Sequence, residues 1–263
     1  MYYDGGDDVI NGGQGYDILD LTSVTSKTSA FKLDNLNFSG IEKLVIDEAV
    51  SVSNFDLETF REIASQSSDI PSIRFREAAA IDYLNLTGKP KNWYVSGSKY
   101  DDVLDFSKNT VRVYLDGGSG DDILKIGASG NISGDSGDDA IFGSAGNNQL
   151  NGDVGNDTLI GGEGNDRLDG GAGNDRLNGG AGKDKLIGAA GNDLIFGGDG
   201  DDQIYLESGV NTGYGGAGDD YISYSGSEAQ LLKGEAGNDT FRIGSASNKV
   251  VTVSGEREAT SCW

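Results

Sequence analysis

Aspartate side chains recur at intervals of nine residues through the centre of this sequence. From Gly134 to Tyr205 the chain divides into eight nine-residue blocks without an insertion, and seven of the eight carry aspartate at the sixth position. The remaining block has Asn148 there. Carboxylate oxygens are the ligands that hard divalent cations take in proteins. The first chemistry that the spacing predicts is therefore metal coordination.

The blocks share an internal pattern beyond the aspartate. They read GDSGDDAIF, GSAGNNQLN, GDVGNDTLI, GGEGNDRLD, GGAGNDRLN, GGAGKDKLI, GAAGNDLIF and GGDGDDQIY, with the consensus G-G-x-G-x-D-x-U-x in which U is isoleucine or leucine. Glycine at positions one, two and four is expected to supply backbone conformations that are closed to residues with a Cβ atom. Positions seven to nine form a short strand whose middle side chain points to one face. Each block thus predicts a turn followed by a strand.

Two blocks make one flattened coil of 18 residues, with a turn at each end. The position-eight side chains are expected to fill its interior, with Ile141, Leu159, Leu177 and Ile195 facing Leu150, Leu168, Leu186 and Ile204. One aliphatic side chain per nine residues buries too little area to offset the ordering of nine backbones. Stacked turns also bring carboxylates together, where they repel. Calcium, with about six to eight oxygen ligands, resolves both problems.

The expected calcium ligands are aspartates two blocks apart and carbonyl oxygens of the glycine turns. The aspartate pairs are Asp139/Asp157, Asp157/Asp175 and Asp175/Asp193 on one side, and Asp166/Asp184, Asp184/Asp202 and Asp202/Asp220 on the other. The glycines are Gly161, Gly170, Gly179 and Gly197. Asn148 paired with Asp166 should bind more weakly, because an amide is a neutral ligand. Peripheral candidates in blocks of broken phase are Asp8, Asp17, Asp102, Asp122 and Asp239.

The composition excludes several functional classes. The chain has no histidine, so it holds no Ser-His-Asp triad and no HExxH zinc site. A single cysteine, Cys262, forms neither an intrachain disulfide nor a thiolate cluster. The formal charge of −23 repels nucleic acid and anionic lipid, and no run approaches the ~18 apolar residues of a membrane span. We therefore expect no catalysis, no nucleic-acid partner and no membrane insertion.

The distribution of glycine divides the chain into segments. Of the 43 glycines, 34 lie between Gly117 and Gly244. We expect partial repeats at 1–20, a β-rich solenoid-like segment at 21–116, a repeat β-roll at 117–244 and a truncated tail at 245–263. Within the second segment, residues 55–64 suit either a short helix or a loop and strand, and β is preferred. Both ends look cut, as in a fragment of a larger protein.

The blocks from 117 to 244 resemble the hemolysin-type calcium-binding (RTX) repeats of proteins exported by Gram-negative type I secretion. The resemblance implies an all-β fold, a right-handed parallel β-roll with several Ca²⁺ ions held in both rows of turns. It also implies that the chain is secreted unfolded and folds outside the cell. Residues 12–60 resemble segments of RTX-bearing S-layer proteins and surface adhesins, through the stretch Phe38-Ser39-Gly40-Ile41-Glu42-Lys43-Leu44-Val45-Ile46.

The leading functional expectation is a calcium-binding structural module of a secreted S-layer or adhesin protein at the bacterial cell surface. The alternative is a calcium-dependent export and folding domain of a secreted toxin or enzyme whose catalytic part is absent. A self-contained enzyme on a β-solenoid is disfavoured, since the chain lacks histidine and a G-x-S-x-G motif. Besides calcium, the partners expected are other copies of the chain or cell-surface polysaccharide.

Position nine forms an apolar stripe on one side of the expected roll. It reads Phe142, Ile160, Asn178, Phe196 and Tyr214, with the asparagine as its one polar member. Such a stripe suits docking of the 21–116 segment, a neighbouring molecule or a partner domain. Coverage by the same chain is the simplest of the three.

Overall fold

The computed structural model describes most of the chain from residue 92 onward and a series of short strands before it. The described residues are 9–11, 18–20, 31–32, 37–39, 43–46, 50–52, 62–65, 72–75, 80–81, 85–88, 92–228, 230–244 and 251–255. Within these ranges every regular element is a β-strand.

The strands are numbered in chain order. The first ten are β1 Val9–Asn11, β2 Ile18–Asp20, β3 Phe31–Lys32, β4 Asn37–Ser39, β5 Lys43–Ile46, β6 Val50–Val52, β7 Glu62–Ser65, β8 Ser72–Phe75, β9 Ala80–Ile81 and β10 Asn85–Gly88. The next nine are β11 Asn92–Ser96, β12 Val103–Phe106, β13 Arg112–Ser119, β14 Ile123–Ile126, β15 Asn131–Ser136, β16 Ala140–Phe142, β17 Gln149–Val154, β18 Thr158–Glu163 and β19 Arg167–Ala172. The last nine are β20 Arg176–Ala181, β21 Lys185–Ala190, β22 Leu194–Asp199, β23 Gln203–Leu206, β24 Thr212–Ala217, β25 Tyr221–Tyr224, β26 Gln230–Ala236, β27 Thr240–Ile243 and β28 Val251–Gly255.

Two long parallel sheets form the body of the molecule. Sheet A has twelve strands in the order β27-β25-β23-β21-β19-β17-β15-β13-β11-β8-β6-β3, and sheet B has ten in the order β28-β26-β24-β22-β20-β18-β16-β14-β12-β9. Each strand pairs with the strand two along the chain, because successive strands alternate between the sheets. Smaller sheets, β10-β7-β5-β2 and β1-β4, contain the other described strands. This is the parallel β-roll that the repeats predict.

The register places equivalent block positions side by side. Leu150 pairs with Leu168 in sheet A, and Ile141 pairs with Leu159 in sheet B. All eight position-eight side chains are fully buried between the sheets, which confirms the predicted core. Their neighbours at positions seven and nine face outward, because side chains alternate along a strand.

The interior is thicker outside the regular repeats. Strands β11 to β14 each bury two apolar side chains, such as Trp93 and Val95 in β11 and Leu124 and Ile126 in β14. Strands β16 to β22 bury one each at position eight. Apolar burial of about 25 cal/mol per Å² therefore stabilises the regular coils less than their neighbours. The regular coils depend more heavily on what their turns contribute.

Two predictions from the upstream segment have a partial outcome. For residues 55–64 the preferred β structure is confirmed from Glu62, where β7 begins. Residues 55–61 lie outside the described residues. Strands of the 21–116 segment join both long sheets, and β28 from the tail pairs with β26. The boundaries at 20, 116 and 244 remain predictions.

The apolar stripe of position nine lies on the outer face of sheet B. The rings of Phe196 and Tyr214 stack with centroids 5.0 Å apart. Arg176 lies 4.8 Å over the first ring and Lys233 lies 5.1 Å over the second. These cations cover part of the aromatic surface through cation–π contacts. What docks on the stripe remains a prediction.

Candidate metal centre

Two rows of turns connect the sheets, and each row contains a line of buried aspartates. Turns leading from sheet A to sheet B form the first row, and turns leading back form the second. The sixth-position aspartates of the first row are Asp102, Asp122, Asp139, Asp157, Asp175 and Asp193, and those of the second are Asp166, Asp184, Asp202, Asp220 and Asp239. All eleven are at most 6 % exposed. Carboxylates are rarely buried to this extent without a partner, so their contacts are decisive.

From Asp122 onward, Oδ1 of every one of these aspartates accepts a backbone N–H from the preceding coil of its row. The backbone N–H of Asp157 donates to Oδ1 of Asp175 at 2.9 Å, and that of Asp166 donates to Oδ1 of Asp184 at 2.7 Å. The same bond joins every predicted aspartate pair, the other four being Asp139/Asp157, Asp175/Asp193, Asp184/Asp202 and Asp202/Asp220. The structure therefore brings together all the pairs that the sequence predicts.

The second carboxylate oxygen has no donor in most of these aspartates, whereas Oδ2 of Asp102 accepts the Ser98 N–H at 2.6 Å. Among the described residues, nine buried Oδ2 atoms lack a hydrogen-bond partner, those of Asp122, Asp139, Asp157, Asp166, Asp175, Asp184, Asp193, Asp202 and Asp220. Leaving a buried charged acceptor unsatisfied costs more than the ~1–3 kcal/mol typical of a neutral group. A repeated cost of this kind indicates that a cation belongs beside each Oδ2.

Carbonyl oxygens lie next to these orphaned oxygens. A Cβ atom built on Gly152 would collide with Oδ2 of Asp157 and with the Gly170 carbonyl oxygen, which lies 2.5 Å away. The equivalent Cβ on Gly179 would meet Oδ2 of Asp184 and the Gly197 carbonyl oxygen. Most of the aspartate turns therefore gather an anionic oxygen and the carbonyl of the next coil around their first glycine.

The three consensus glycines are required for different reasons. The prediction that position one needs a backbone conformation closed to other residues is wrong. Positions two and four adopt positive φ, as in Gly171 at 101° and Gly173 at 145°. The glycines at position one do not belong to the positive-φ set. Glycine is required there because the carboxylate and the carbonyl occupy the space of a side chain. Position two tolerates other residues, since Asp153 and Ala189 adopt positive φ there.

The electrostatics of the rows reflect burial without a counter-charge. Burial raises the pKa of Asp139, Asp157, Asp166, Asp175 and Asp193 to about 6, and that of Asp122, Asp202 and Asp220 to about 7. The pKa of Asp184 and of Asp239 is also raised by burial. Neighbouring carboxylates add to most of these shifts, as Asp175 does for Asp157. A bound cation would reverse them by favouring the charged form.

Three peripheral candidates belong to the rows despite their broken phase. Asp102 donates its N–H to Oδ1 of Asp122 at 2.7 Å, and Asp122 donates to Asp139 at 2.8 Å. Asp220 donates to Asp239 at 3.2 Å. Insertions and deletions of one or two residues are thus absorbed without breaking the line. The remaining candidates, Asp8 and Asp17, lie outside the described residues.

A second, exposed ladder follows position five and was missed in the sequence. The N–H of Asn174 donates to Oδ1 of Asn156 at 2.9 Å, and that of Asn192 donates to Asn174 at 2.9 Å. The signal was present, because position five is asparagine or aspartate in seven of the eight regular blocks. Lys183 is the exception. Its ammonium pairs with Asp201 of the next coil at 2.5 Å.

The donor set fits a hard cation whose ligands are shared between side chain and backbone. Across the described ranges, no three Asp, Glu, His or Cys side chains converge to hold a metal by themselves. Carbonyl oxygens beside seven of the nine orphaned carboxylates supply further oxygens of the kind that Ca²⁺ prefers. Thiolate and imidazole donors, which softer metals take, are missing from the described turns.

A parallel β-roll with acidic turns and glycine-gathered carbonyls defines a calcium-binding structural module. The chain matches the family model described as the RTX calcium-binding nonapeptide repeat (4 copies). The matched residues are 3–20, 113–125, 126–159, 151–186, 160–195, 179–213, 187–222 and 214–228. The chain belongs to this family, whose members bind several calcium ions. No curated protein matches the chain.

The described residues contain no helix that is long and apolar enough to cross a membrane.

Proposed function

We propose that the chain is the calcium-binding structural module of a secreted bacterial surface protein, of the S-layer or adhesin type, that folds on Ca²⁺ outside the cell. The observation that carries the proposal is the set of nine buried Oδ2 atoms without a donor. A fold with this defect is poorly stable in a calcium-poor compartment. Where calcium is plentiful, each bound ion stabilises the folded state by mass action.

The proposed ligands are the predicted aspartates and the turn carbonyls. Each site would combine Oδ2 of one aspartate with the carbonyl oxygen of the first glycine two blocks later, as in Asp157 with Gly170 and Asp184 with Gly197. The glycine carbonyls of Gly161 and Gly179 have the same placement in the second row. Calcium bound there would neutralise the carboxylates and tie consecutive coils together.

A surface role is supported by the upstream segment and by the character of the roll. Strands β4 and β5 fall within the stretch that resembles S-layer and adhesin sequences, and both join parallel sheets. A long stack of coils with an exposed outer face suits a spacer or assembly element. A non-catalytic role for the chain, with other copies or surface polysaccharide as partners, is part of the proposal.

Surface labelling of intact cells tests the proposal. An antibody against the roll should label cells of the source organism in calcium medium, and a chelator wash should abolish binding of a conformation-specific antibody. Recovery of the chain only in the culture medium, joined to a catalytic domain, would instead indicate the export domain of a toxin or enzyme. Labelling only after cell lysis would contradict secretion.

A further inference from the structure

The first and sixth positions of each turn vary together. Every described turn with aspartate at position six opens with glycine, from Gly97 with Asp102 to Gly234 with Asp239. Four turns without the aspartate open instead with a large buried side chain, namely Phe106, Ile126, Leu206 and Tyr224. Their ladder positions are occupied by Asn109, Gly130, Asn211 and Gln230, in that order. The side chain at position one points inward, into the space that glycine leaves open for the carboxylate.

The turn at Leu206 shows how such a turn closes. Leu206 is 1 % exposed. Gly213 replaces the usual aliphatic residue at position eight, and a Cβ atom built on it would lie 3.1 Å from Cδ1 of Leu206. Asn211 still accepts the N–H of Asp193 through Oδ1 at 2.6 Å. Its Nδ2 donates to the Ser208 carbonyl at 3.1 Å. This turn therefore has no buried anionic oxygen without a donor. Leu206 packs in the interior where the aspartate turns have a carboxylate.

The apolar turns lie at opposite ends of the two rows. In the first row the aspartates end at Asp193 and are followed by the turns of Leu206 and Tyr224. In the second row the aspartates begin at Asp166, after the turns of Phe106 and Ile126 and one intermediate turn. A coil near either end therefore has one acidic turn and one apolar turn.

The intermediate turn contains Asn148 and keeps the glycine. A Cβ atom on Gly143 would lie 2.8 Å from Nδ2 of Asn148 and would also collide with the Gly161 carbonyl oxygen. The amide nitrogen thus occupies the place that Oδ2 takes elsewhere. It donates to the Gly146 carbonyl at 2.5 Å, and to those of Ser144 and Gly161 at 3.4 Å each. An N–H donor here replaces the cation as the link to the turn carbonyls.

We infer that the identity of the first residue decides which turns take calcium. Turns that open with glycine have room for an ion. Turns opening with Phe106, Ile126, Leu206 or Tyr224 close without metal and end the two calcium rows. The Asn148 turn closes on its own amide but retains the shape of a calcium site. This inference rests on the proposed calcium-binding function and concerns which turns take part in it.

The test compares two equivalent substitutions in the full chain with calcium as the only ligand. Asn148→Asp places a carboxylate in a turn with glycine, whereas Asn211→Asp places one in a turn with leucine. Native mass spectrometry at saturating calcium should count one more ion in N148D than in the unsubstituted chain and no more in N211D. Far-UV circular dichroism in chelator should show less β signal for N148D, because the carboxylate loses the amide contacts.

Two further variants make the result decisive. Asn147→Asp adds the same charge at the exposed neighbour, whose Oδ1 acceptor it keeps, and should change neither the ion count nor the chelator spectrum. Asp166→Asn creates an amide in a glycine turn and should lose one ion while gaining β signal in chelator.

An extra ion in N211D, or an unchanged count in N148D, would overturn the inference while leaving the calcium-binding function intact. Failure of N148D to fold in calcium would overturn it as well, because the turn then does not accept a carboxylate. A chain that binds no calcium before any substitution would instead overturn the proposed function.

Discussion

Replacement of Leu168 by alanine measures how far the repeat region depends on its thin core. Leu168 is fully buried and lies in register between Leu150 and Leu186 in sheet A. The substitution removes three carbons, each worth about 0.8 kcal/mol on transfer from water. The residual cavity brings the expected loss in the free energy of unfolding to about 3–5 kcal/mol. Neighbouring coils are one side chain thick, so little packing is left to close the gap.

Urea unfolding at saturating calcium, followed by far-UV circular dichroism, is the assay. Leu194→Ala is the matched control, because it makes the same chemical change at position seven on the partly exposed outer face of sheet B. The control should lose less than about 1 kcal/mol. Equal losses for the two variants would refute the assignment of position eight to the interior and position seven to the outside.

Three other predictions concern the turns. Raised carboxyl pKa values in the calcium-free fold, about 6 for Asp157 and about 7 for Asp202, mean that the fold binds more protons than the unfolded chain. In chelator, β signal should therefore increase as pH falls from about 8 to about 5, while calcium affinity measured by calorimetry should decrease, and the opposite trends would contradict the burial of the ladder. Lys183 already donates its backbone N–H to Oδ1 of Asn165, so Lys183→Asn should add the missing acceptor for the next coil at Asp201 and raise the midpoint of thermal unfolding slightly, because the exposed ion pair that it removes is worth little; a lower midpoint would count against the ladder. Gly161→Ala should weaken calcium binding in calorimetry, since its Cβ meets the carboxylate and carbonyl oxygens of one site, and unchanged binding would exclude that site.

The sequence predicts the repeat region closely because its periodicity is strict. The nine-residue blocks from Gly134 to Tyr205 specify the buried position and the aspartate line, and the structure has both. The predicted strand at positions seven to nine is too short, because strands such as Thr158–Glu163 continue through positions one to three of the next block. Repeats are predictable in this way because each coil contacts only its neighbours. A pattern that is satisfied locally is then satisfied throughout the stack.

The sequence predicts the structure less well where the nine-residue phase breaks, or where one residue fills the interior space that another leaves. In the block from Leu206 to Tyr214, leucine takes over the interior space that Gly213 leaves, and only the structure shows that the two changes compensate. The reason for glycine at position one is similar. A glycine in a sequence does not distinguish a positive φ from a close approach of other atoms, and the second cause depends on the next coil.

The far-UV circular dichroism spectrum of the chain with and without calcium tests the central claim most directly. In chelator at neutral pH the β signal should be largely lost, because the buried carboxylates then repel one another without a counter-charge. Titration to millimolar Ca²⁺ should restore the signal cooperatively, since neighbouring sites share coils. An identical β spectrum in chelator and in calcium would contradict the account.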